Sequence, residues 1–554
     1  MTGVGGILGG VVGALWKQRP TASDTAAPGI DGCIAVNKES HSPSALTREE
    51  LMALVTVMGD EIVALKARVA ELERSQSLNS SNSSKPPSSD GLKKPKKPAK
   101  EKRTRSLRGK SKRKPGGQPG HPGKTLSQVA DPNHIVDHYP TSCAFCGAPL
   151  TPEMGGRDYS ARQVFDIPEP PKSEPSKSDP PASGPTHSEP PPPERPPLIV
   201  TEHRAHTCQC ANCGARTRAS FPEEVSAPVQ YGHRTVAVVT YLYTHHLIPE
   251  VRLAELMADL HGVKIAASTV GRMTRAVAGR VQGFVDAVRD LVADAPVKHM
   301  DETSVRINGK NHWLHVACTE DLTHYRICKK RGDMLENVKK DTIVVHDHWK
   351  PYYGIPDVLH ALCNAHHLRE FKALTEIEKE DWAQKMGRLL QYACHAVNLA
   401  HERHEKDKTK PLELAPSLIG LINRRYDAIV AEGMAYHEAL PALDPPVPSG
   451  GKKKRGRKKH RVGHNLAMRL TNFKGDTLRF LTDFAVPFTN NLPERKLRMP
   501  KAKQKISGGF RSVEGAEDFA ANRSFIATCK DRGWKIIDAL MQPPATLIQM
   551  LSTD

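Results

Sequence analysis

The amino-acid sequence predicts a multidomain α/β protein whose core of strands and helices is interrupted by an α-helical insertion. The chain has 554 residues, enough for roughly three to five domains of ordinary size. Strand-like patterns between residues 297 and 349 are followed by long helical patterns and then by a helix near residue 494. Polar stretches that lack apolar residues separate these segments, as linkers do.

The charge balance limits the classes of partner. A net charge of +19 favours a polyanion, nucleic acid first, although a solubilising basic tail would give the same total. No run of about 18 apolar residues occurs, so no membrane contact is expected. Five cysteines occur in two groups with metal-ligand spacing, which fits reduced thiols in a cytoplasm. Residues 1–46 are Gly-rich and lack the charge order of a signal peptide, which predicts a disordered or non-native extension.

Apolar residues spaced 4-3-4-3-4-3 predict a coiled coil over residues 47–74. The seam positions are Leu51, Val55, Met58, Ile62, Leu65, Val69 and Leu72. This pattern favours a parallel pairing of two protomers and therefore a homo-oligomer, at least a dimer; an amphipathic helix packed on its own chain is the alternative. Residues 75–130 are rich in Ser, Pro, Lys and Arg, and they predict a disordered basic linker that touches DNA phosphates.

Two Cys-x-x-Cys-Gly motifs in residues 131–225 predict a structural zinc site. Its ligands are Cys143, Cys146, Cys210 and Cys213. The pairs lie farther apart than the usual ~15–20 residues because a Pro-rich insert occupies residues 169–197. Without the insert, two strand-like pieces join into a ribbon between the motifs. Cys208 competes with Cys210 as a ligand, but its spacing to Cys213 is wrong.

Residues 226–292 have the pattern of a helix-turn-helix, with a Gly-containing turn between two helices. Ser268 or a neighbour would cap the second helix. Ser268, Thr269 and Arg272, near the start of that helix, are expected to reach DNA base edges. A plain helical hairpin without DNA contact is the alternative.

Three acids stand in an order that suits metal-dependent phosphodiester chemistry. One strand ends at Asp301, an Asn-Gly turn and two further strands follow, a fourth strand ends at Asp347, and a late helix carries Glu494. Such chemistry uses two divalent cations, and Mg²⁺ or Mn²⁺ prefers carboxylate oxygens. Any one of these aspartates alone is more often a turn or capping residue. The nearby acids Glu302, Asp483 and Glu517 are expected to be solvated or structural.

The motifs NSSNSSKPPSSDG, KPGGQPGHPG, ARQVFDIP, HMDET, VHDHWKPYY, CNAHHLRE and VPFTNNLPERKLRMPKAKQKISGGFRS occur in this order. From about residue 47 onward, the chain resembles the large transposase of the insertion sequence 66 family. The resemblance implies a ribonuclease-H-like catalytic core in two parts, residues 293–363 and 481–545. It also implies a DDE triad of Asp301, Asp347 and Glu494 that holds two Mg²⁺ or Mn²⁺ ions.

Between the two parts, residues 364–480 predict the helical insertion, with a basic loop at 452–461. The loop residues expected to contact DNA are Lys452, Lys453, Lys454, Arg455 and Arg457. Cys363 and His366 match a Cys-x-x-His motif of several DDE superfamilies, for which a structural role is favoured over a metal site.

The function implied by the resemblance is binding of terminal inverted repeats, followed by cleavage and strand transfer to target DNA. The expected location is the bacterial cytoplasm, associated with the nucleoid, and small accessory proteins of the same element are implied partners. The main alternative is a non-catalytic zinc and helix-turn-helix regulator derived from a transposase. A general or junction-resolving nuclease is a third class.

Overall fold

The structure is a computed structural model that describes residues 126–169, 198–333, 337–441 and 460–552, and seven helical positions between residues 48 and 73. The chain divides into two compact units, residues 1–76 and 77–554. In the first unit, the predicted seam residues Met58, Ile62 and Val69 are about half exposed in the single chain. A second protomer that covers them stays a prediction. Three predicted segments lie outside the described residues: most of the basic linker, nearly all of the Pro-rich insert, and the loop residues Lys452–Arg457.

A small sheet carries the cysteine motifs. Its strands are β1 (His134–His138), β2 (Gly155–Asp166), β3 (Ile199–Gln209), β4 (Arg216–Arg218) and β5 (Val229–Tyr231). They lie in the order β1-β3-β2-β5, with β4 paired to β3. The two strand-like pieces that flank the Pro-rich insert pair as predicted, from Gly155 opposite Cys208 to Asp166 opposite Ile199. The insert therefore connects the two strands at the end of the hairpin that lies about 35 Å of strand away from the cysteines.

Three helices follow: α1 (His233–Thr244), α2 (Glu250–His261) and α3 (Ala267–Asp294). The predicted Gly turn is present, because Gly262 ends α2 with a φ of +67°. Ser268 does not cap α3: Ala266 occupies the N-cap, and no side chain accepts a hydrogen bond there. α3 also continues well beyond the predicted second helix, and its C-terminal half packs Phe284 and Val288 into the core of the larger sheet.

The larger sheet contains β6 (Val297–Ile307), β7 (Lys310–Cys318), β8 (Thr323–Cys328), β9 (Ile343–His346) and β10 (Leu359–Leu362). Its order is β8-β7-β6-β9-β10. The β6–β7 and β7–β8 pairs are antiparallel, whereas β6–β9 and β9–β10 are parallel. Asn308 and Gly309 both have positive φ, as the predicted β6–β7 turn requires. The sequence pattern missed β10, because a four-residue strand is too short to show a period.

The remaining helices surround this sheet. The insertion comprises α4 (Asn364–Ala373), a π-helical turn (Leu374–Glu378), α5 (Asp381–Lys406), α6 (Pro416–Glu438), α7 (Val462–Asn472) and α8 (Lys474–Leu478). It packs a core around Trp382 and Tyr426 against Val345 and Ala361 on β9 and β10. After it come α9 (Asn491–Ser507), α10 (Val513–Asp531), α11 (Ile536–Met541) and α12 (Pro544–Leu551). In the described residues, no helix has the length and apolar character needed to span a bilayer.

Candidate active site and cysteine cluster

The register of the larger sheet brings two of the predicted acids together. β6 and β9 are parallel, and His299 lies opposite Val345. Two residues farther along, the same register puts Asp301 beside Asp347, which directly follows the end of β9. The expectation that a strand ends at Asp301 was wrong, because β6 continues to Ile307 through its pairing with β7. The Oδ1 of Asp301 accepts a hydrogen bond from the Glu302 amide (2.8 Å), and the Oδ1 of Asp347 accepts one from the Trp349 amide (3.1 Å). A backbone amide one or two residues farther along the chain thus orients each carboxylate.

A buried asparagine holds the helix that carries the third acid close to Asp301. Asn490 is the N-cap of α9 and is 2% exposed. Its Nδ2 donates to the carbonyl oxygen of Met300 (2.8 Å), and its Oδ1 accepts from Nδ1 of His299 (2.8 Å). The start of α9 is therefore tied to β6 directly before Asp301. Glu494 lies in the first turn of α9, about one helical turn from this anchor.

Burial and neighbouring negative charges raise the pKa values of Asp301 and Asp347. The pKa of Asp301 is raised well above its ordinary value by burial, and further by the charges of Glu302, Asp347 and Glu494. The pKa of Asp347 is raised to about 6, mainly by burial and then by Glu302, while Arg331 opposes the shift. Like charges in a desolvated site repel each other, so the ionised centre is strained without a cation. A divalent ion bound between the carboxylates would relieve this repulsion.

A fourth carboxylate, Glu302, belongs to the same centre. Its side chain is 1% exposed, so of the two expected roles, solvated or structural, the burial fits the structural one. Arg331 donates to its Oε1 from Nε (2.8 Å) and Nη2 (2.5 Å), and the Tyr352 hydroxyl donates to its Oε2. The Arg331 guanidinium lies over the rings of Trp313 (5.0 Å) and Trp349 (4.0 Å). No local sequence pattern could find this group, because it joins residues 29 positions apart.

The Cys-x-x-His motif contacts both the sheet edge and Glu494. The amide of Cys363 donates to the carbonyl oxygen of His346 (3.0 Å), and its Sγ accepts from the amide of Asn490 (3.1 Å). Nε2 of His366 lies 3.7 Å from Oε1 of Glu494. Burial raises the pKa of Cys363 to about 11 and lowers that of His366 to about 4, so both are neutral at pH 7. These contacts link β10, α4 and α9 around Glu494.

The four predicted zinc ligands come together. The Sγ atoms of Cys143 and Cys213 lie 3.6 Å apart, as do those of Cys146 and Cys210. All four lie within 4.8 Å of one another. A tetrahedral site with Zn–S bonds of about 2.3 Å has S–S edges of about 3.8 Å, so the donor set fits zinc. Cys208 is excluded from the cluster: it is buried, and its Sγ contacts the carbonyl oxygen of Thr151 instead.

The two cysteine motifs have the same backbone geometry. In each motif the Gly amide donates to the carbonyl oxygen of the first cysteine, at 3.0 Å from Gly147 to Cys143 and at 2.8 Å from Gly214 to Cys210. Both glycines have a φ above +70°, a conformation that L side chains rarely adopt. Amides of Cys146 and Phe145 lower the pKa of Cys143 to about 6, which favours its thiolate. The two motifs thus face one another as matching halves of one cluster.

The predicted DNA-reading residues lie near the start of α3. Ser268 and Arg272 are exposed and Thr269 is partly exposed. Arg272 donates from Nη2 to the Thr269 hydroxyl (3.1 Å). Their contact with DNA stays a prediction.

Comparisons with known proteins give the family. A model described as a family of unknown function (DUF6444) matches residues 39–127. No curated protein matches the sequence. The model of the IS66 transposase family matches residues 228–518, which is more than half of the chain and contains Asp301, Asp347 and Glu494. The protein therefore belongs to the IS66 transposase family, a family of DNA-processing proteins.

Proposed function

We propose that this protein is a DDE transposase that binds the terminal inverted repeats of an insertion sequence, cleaves DNA at those ends and transfers the strands to a target. The observation that carries the proposal is the convergence of Asp301 on β6, Asp347 directly after β9 and Glu494 on α9. The order β8-β7-β6-β9-β10, with three antiparallel strands followed by two parallel ones, supports a ribonuclease-H-like core. Acids on adjacent parallel strands and on a packed helix suit metal-dependent phosphodiester chemistry.

The three carboxylates would hold Mg²⁺ or Mn²⁺, with two ions per active site. Bound there, the ions would activate the attacking oxygen and stabilise the leaving oxygen. The raised pKa values of Asp301 and Asp347 support this assignment, because a site strained by its own negative charge gains most from a divalent cation. A cavity of about 220 Å³ is lined by Asp347 and His366, which supports access of a substrate to Asp347.

Other residues have proposed supporting roles. Arg331 is held by Glu302 and two tryptophans close to the aspartates, a geometry suited to contacting a DNA phosphate. Cys363 and Asn490 hold the start of α9 in position, so they act through Glu494 rather than on DNA. The four-cysteine cluster would hold a structural Zn²⁺, and the helix-turn-helix and basic loop would bind the element's ends.

A cleavage assay with matched variants tests the proposal. Sequencing the DNA that flanks the gene identifies the inverted repeats, which then serve as labelled substrate with Mn²⁺. We expect Asp301→Asn, Asp347→Asn and Glu494→Gln to lose cleavage and strand transfer by orders of magnitude and to keep binding. The control Glu517→Gln changes an exposed acid on α10 and should keep wild-type activity.

The assay separates the alternatives. A wild-type protein that binds the repeats but never cuts them would be a regulator. Equal cutting of DNA with and without the repeats would indicate a general nuclease. Wild-type cleavage by Glu494→Gln would refute its role as the third acid.

A further inference from the structure

A second cavity lies away from the carboxylate centre. Its volume is about 360 Å³, within the range of small-molecule pockets. α1, α2 and α3 form one side, and the end of α9 and the start of α10 form the other. Lys503 on α9 lines it. Lys503 is nine residues after Glu494, and at 100° per residue these side chains point to opposite faces of the helix, about 14 Å apart along its axis.

One wall of this cavity is held firmly against the larger sheet. Gly508 adopts a φ of +74° at the end of α9, and a side chain on Gly509 would collide with the carbonyl oxygen of Arg306 at 2.4 Å. The Phe510 amide donates to that same carbonyl (2.8 Å), and the Asn308 amide donates to the carbonyl of Phe510 (2.9 Å). The wall therefore exists before any ligand arrives.

Two buried side chains that line this cavity, Lys503 and Asn522, have hydrogen-bonding capacity that the described residues do not use. Lys503 is 5% exposed, and its ammonium lies over the rings of Tyr243 (4.3 Å), Phe519 (5.1 Å) and Phe510 (5.5 Å). Within the described residues it has neither a hydrogen-bond acceptor nor an ion pair. Asn522 is 1% exposed, and its Oδ1 has no donor among those residues, although its Nδ2 donates to the carbonyl of Thr274 (2.8 Å). A buried acceptor without a donor is costly, so the Oδ1 of Asn522 favours a ligand that donates a hydrogen bond. The Lys503 ammonium, which only aromatic rings contact, favours an anionic ligand.

The charges at this cavity favour an anion. Arg511 is exposed at the rim and forms no ion pair in the described part of the chain. Arg275 is already paired with Asp518 (3.1 Å), so these two charges offset each other. Glu250 also lines the cavity and raises the pKa of Lys503, but it lies beyond ion-pair distance. Lys503 and Arg511 remain as cations available to a ligand.

We propose that this cavity binds a nucleotide-sized phosphate ester. Lys503 and Arg511 would contact the phosphate, and Oδ1 of Asn522 would accept a hydrogen bond from an N–H or O–H of the base or sugar. A bare phosphate would leave most of the volume to water, whereas a nucleotide fills it. The ester can come from a DNA strand, in which case the inference rests on the proposed function, or from a free mononucleotide.

Amine labelling of the full-length protein tests this inference. Burial lowers the pKa of Lys503 to about 8, so a substantial neutral fraction reacts with an acylating reagent at pH 8. Mass spectrometry would follow its labelling rate, with exposed Lys505 on the same helix as internal control. The protein is labelled alone, with a duplex of the element's end, with a deoxynucleoside monophosphate, and with the nucleoside lacking phosphate. A mobility-shift assay reports separately whether DNA is bound.

We expect Lys503 labelling to slow at least fivefold with DNA or with the monophosphate, while Lys505 changes little. Protection by DNA alone identifies a strand nucleotide, and protection by the monophosphate identifies a free one. Arg511→Gln should raise the half-protecting monophosphate concentration about tenfold, since a charged hydrogen bond is lost, and Lys505→Gln should not. The inference is overturned if the nucleoside slows Lys503 labelling as much as the monophosphate does, or if no ligand slows it. No DNA shift combined with protection by the monophosphate refutes the proposed function and leaves the inference standing.

Discussion

Replacing Asp347 with asparagine should stabilise the metal-free protein while it abolishes catalysis. The folded protein raises the pKa of this carboxyl from 3.8 to about 6. The charged form therefore costs free energy in the folded state at pH 7. Asparagine has nearly the same shape and carries no charge, so the substitution removes that cost.

The magnitude follows from the pKa shift. A difference of about two pKa units, at about 1.4 kcal/mol each, gives an upper limit of about 3 kcal/mol at pH 7. Asp347 is partly exposed, so a gain of about 1–2 kcal/mol is expected. Because the folded pKa is raised, the destabilisation is complete above pH 6 and disappears as the pH falls toward 3.8. The advantage of the variant should therefore shrink between pH 7 and pH 5.

Urea unfolding of both proteins in EDTA at pH 7 and pH 5 measures this difference. Adding Mg²⁺ should reverse the order, because an ion at a hundred times its dissociation constant stabilises the wild type by about 2.7 kcal/mol and the variant much less. A variant that is less stable than wild type at pH 7 in EDTA, or a difference independent of pH, would refute the account of a strained carboxylate centre.

Four further outcomes are expected. Cys143→Ser should lower the zinc content from about one ion per chain to none and weaken DNA-end binding; unchanged zinc by elemental analysis would contradict the site. Glu302→Gln should slow cleavage about tenfold without loss of binding, because Arg331 loses its charged partner, and rates equal to those of Glu517→Gln would show that Arg331 needs no such anchor. Deleting residues 47–74 should abolish self-association in sedimentation and leave the core folded; an unchanged oligomer would place dimerisation elsewhere. Gln at all basic positions of 452–461 should flatten the salt dependence of DNA binding, whereas an unaltered slope would mean that the loop does not touch phosphates.

Local sequence patterns were sufficient where the determinant is local. The Asn-Gly pair between the strand-like segments SVRI and HWLHVACT predicted the β6–β7 hairpin, which the structure contains. The Cys-x-x-Cys-Gly spacing predicted which thiols cluster and which one, Cys208, does not. These features depend on backbone preferences within a few residues, such as the positive φ that glycine accepts.

Local sequence patterns alone could not predict that the three acids form one carboxylate centre. The order of its acids along the chain suggested their chemistry, and the resemblance to a family assigned their roles. Only the parallel register of β6 and β9 brings Asp301 and Asp347 side by side, and only the Asn490 anchor adds Glu494. The sequence left open whether Glu302 is solvated or structural, since nothing near it in the chain indicates burial.

The tertiary structure alone decided the features that depend on distant segments. Glu302 meets Arg331 and Tyr352 only after the sheet forms, and Lys503 meets Tyr243 only when α9 packs against α1. Sequence periodicity determines which face of an element is apolar, and so it predicted most of the helices and strands. It carries no information on which faces meet. That is decided by packing between residues far apart in the chain, and packing is what desolvates a carboxylate or leaves a buried ammonium facing a cavity.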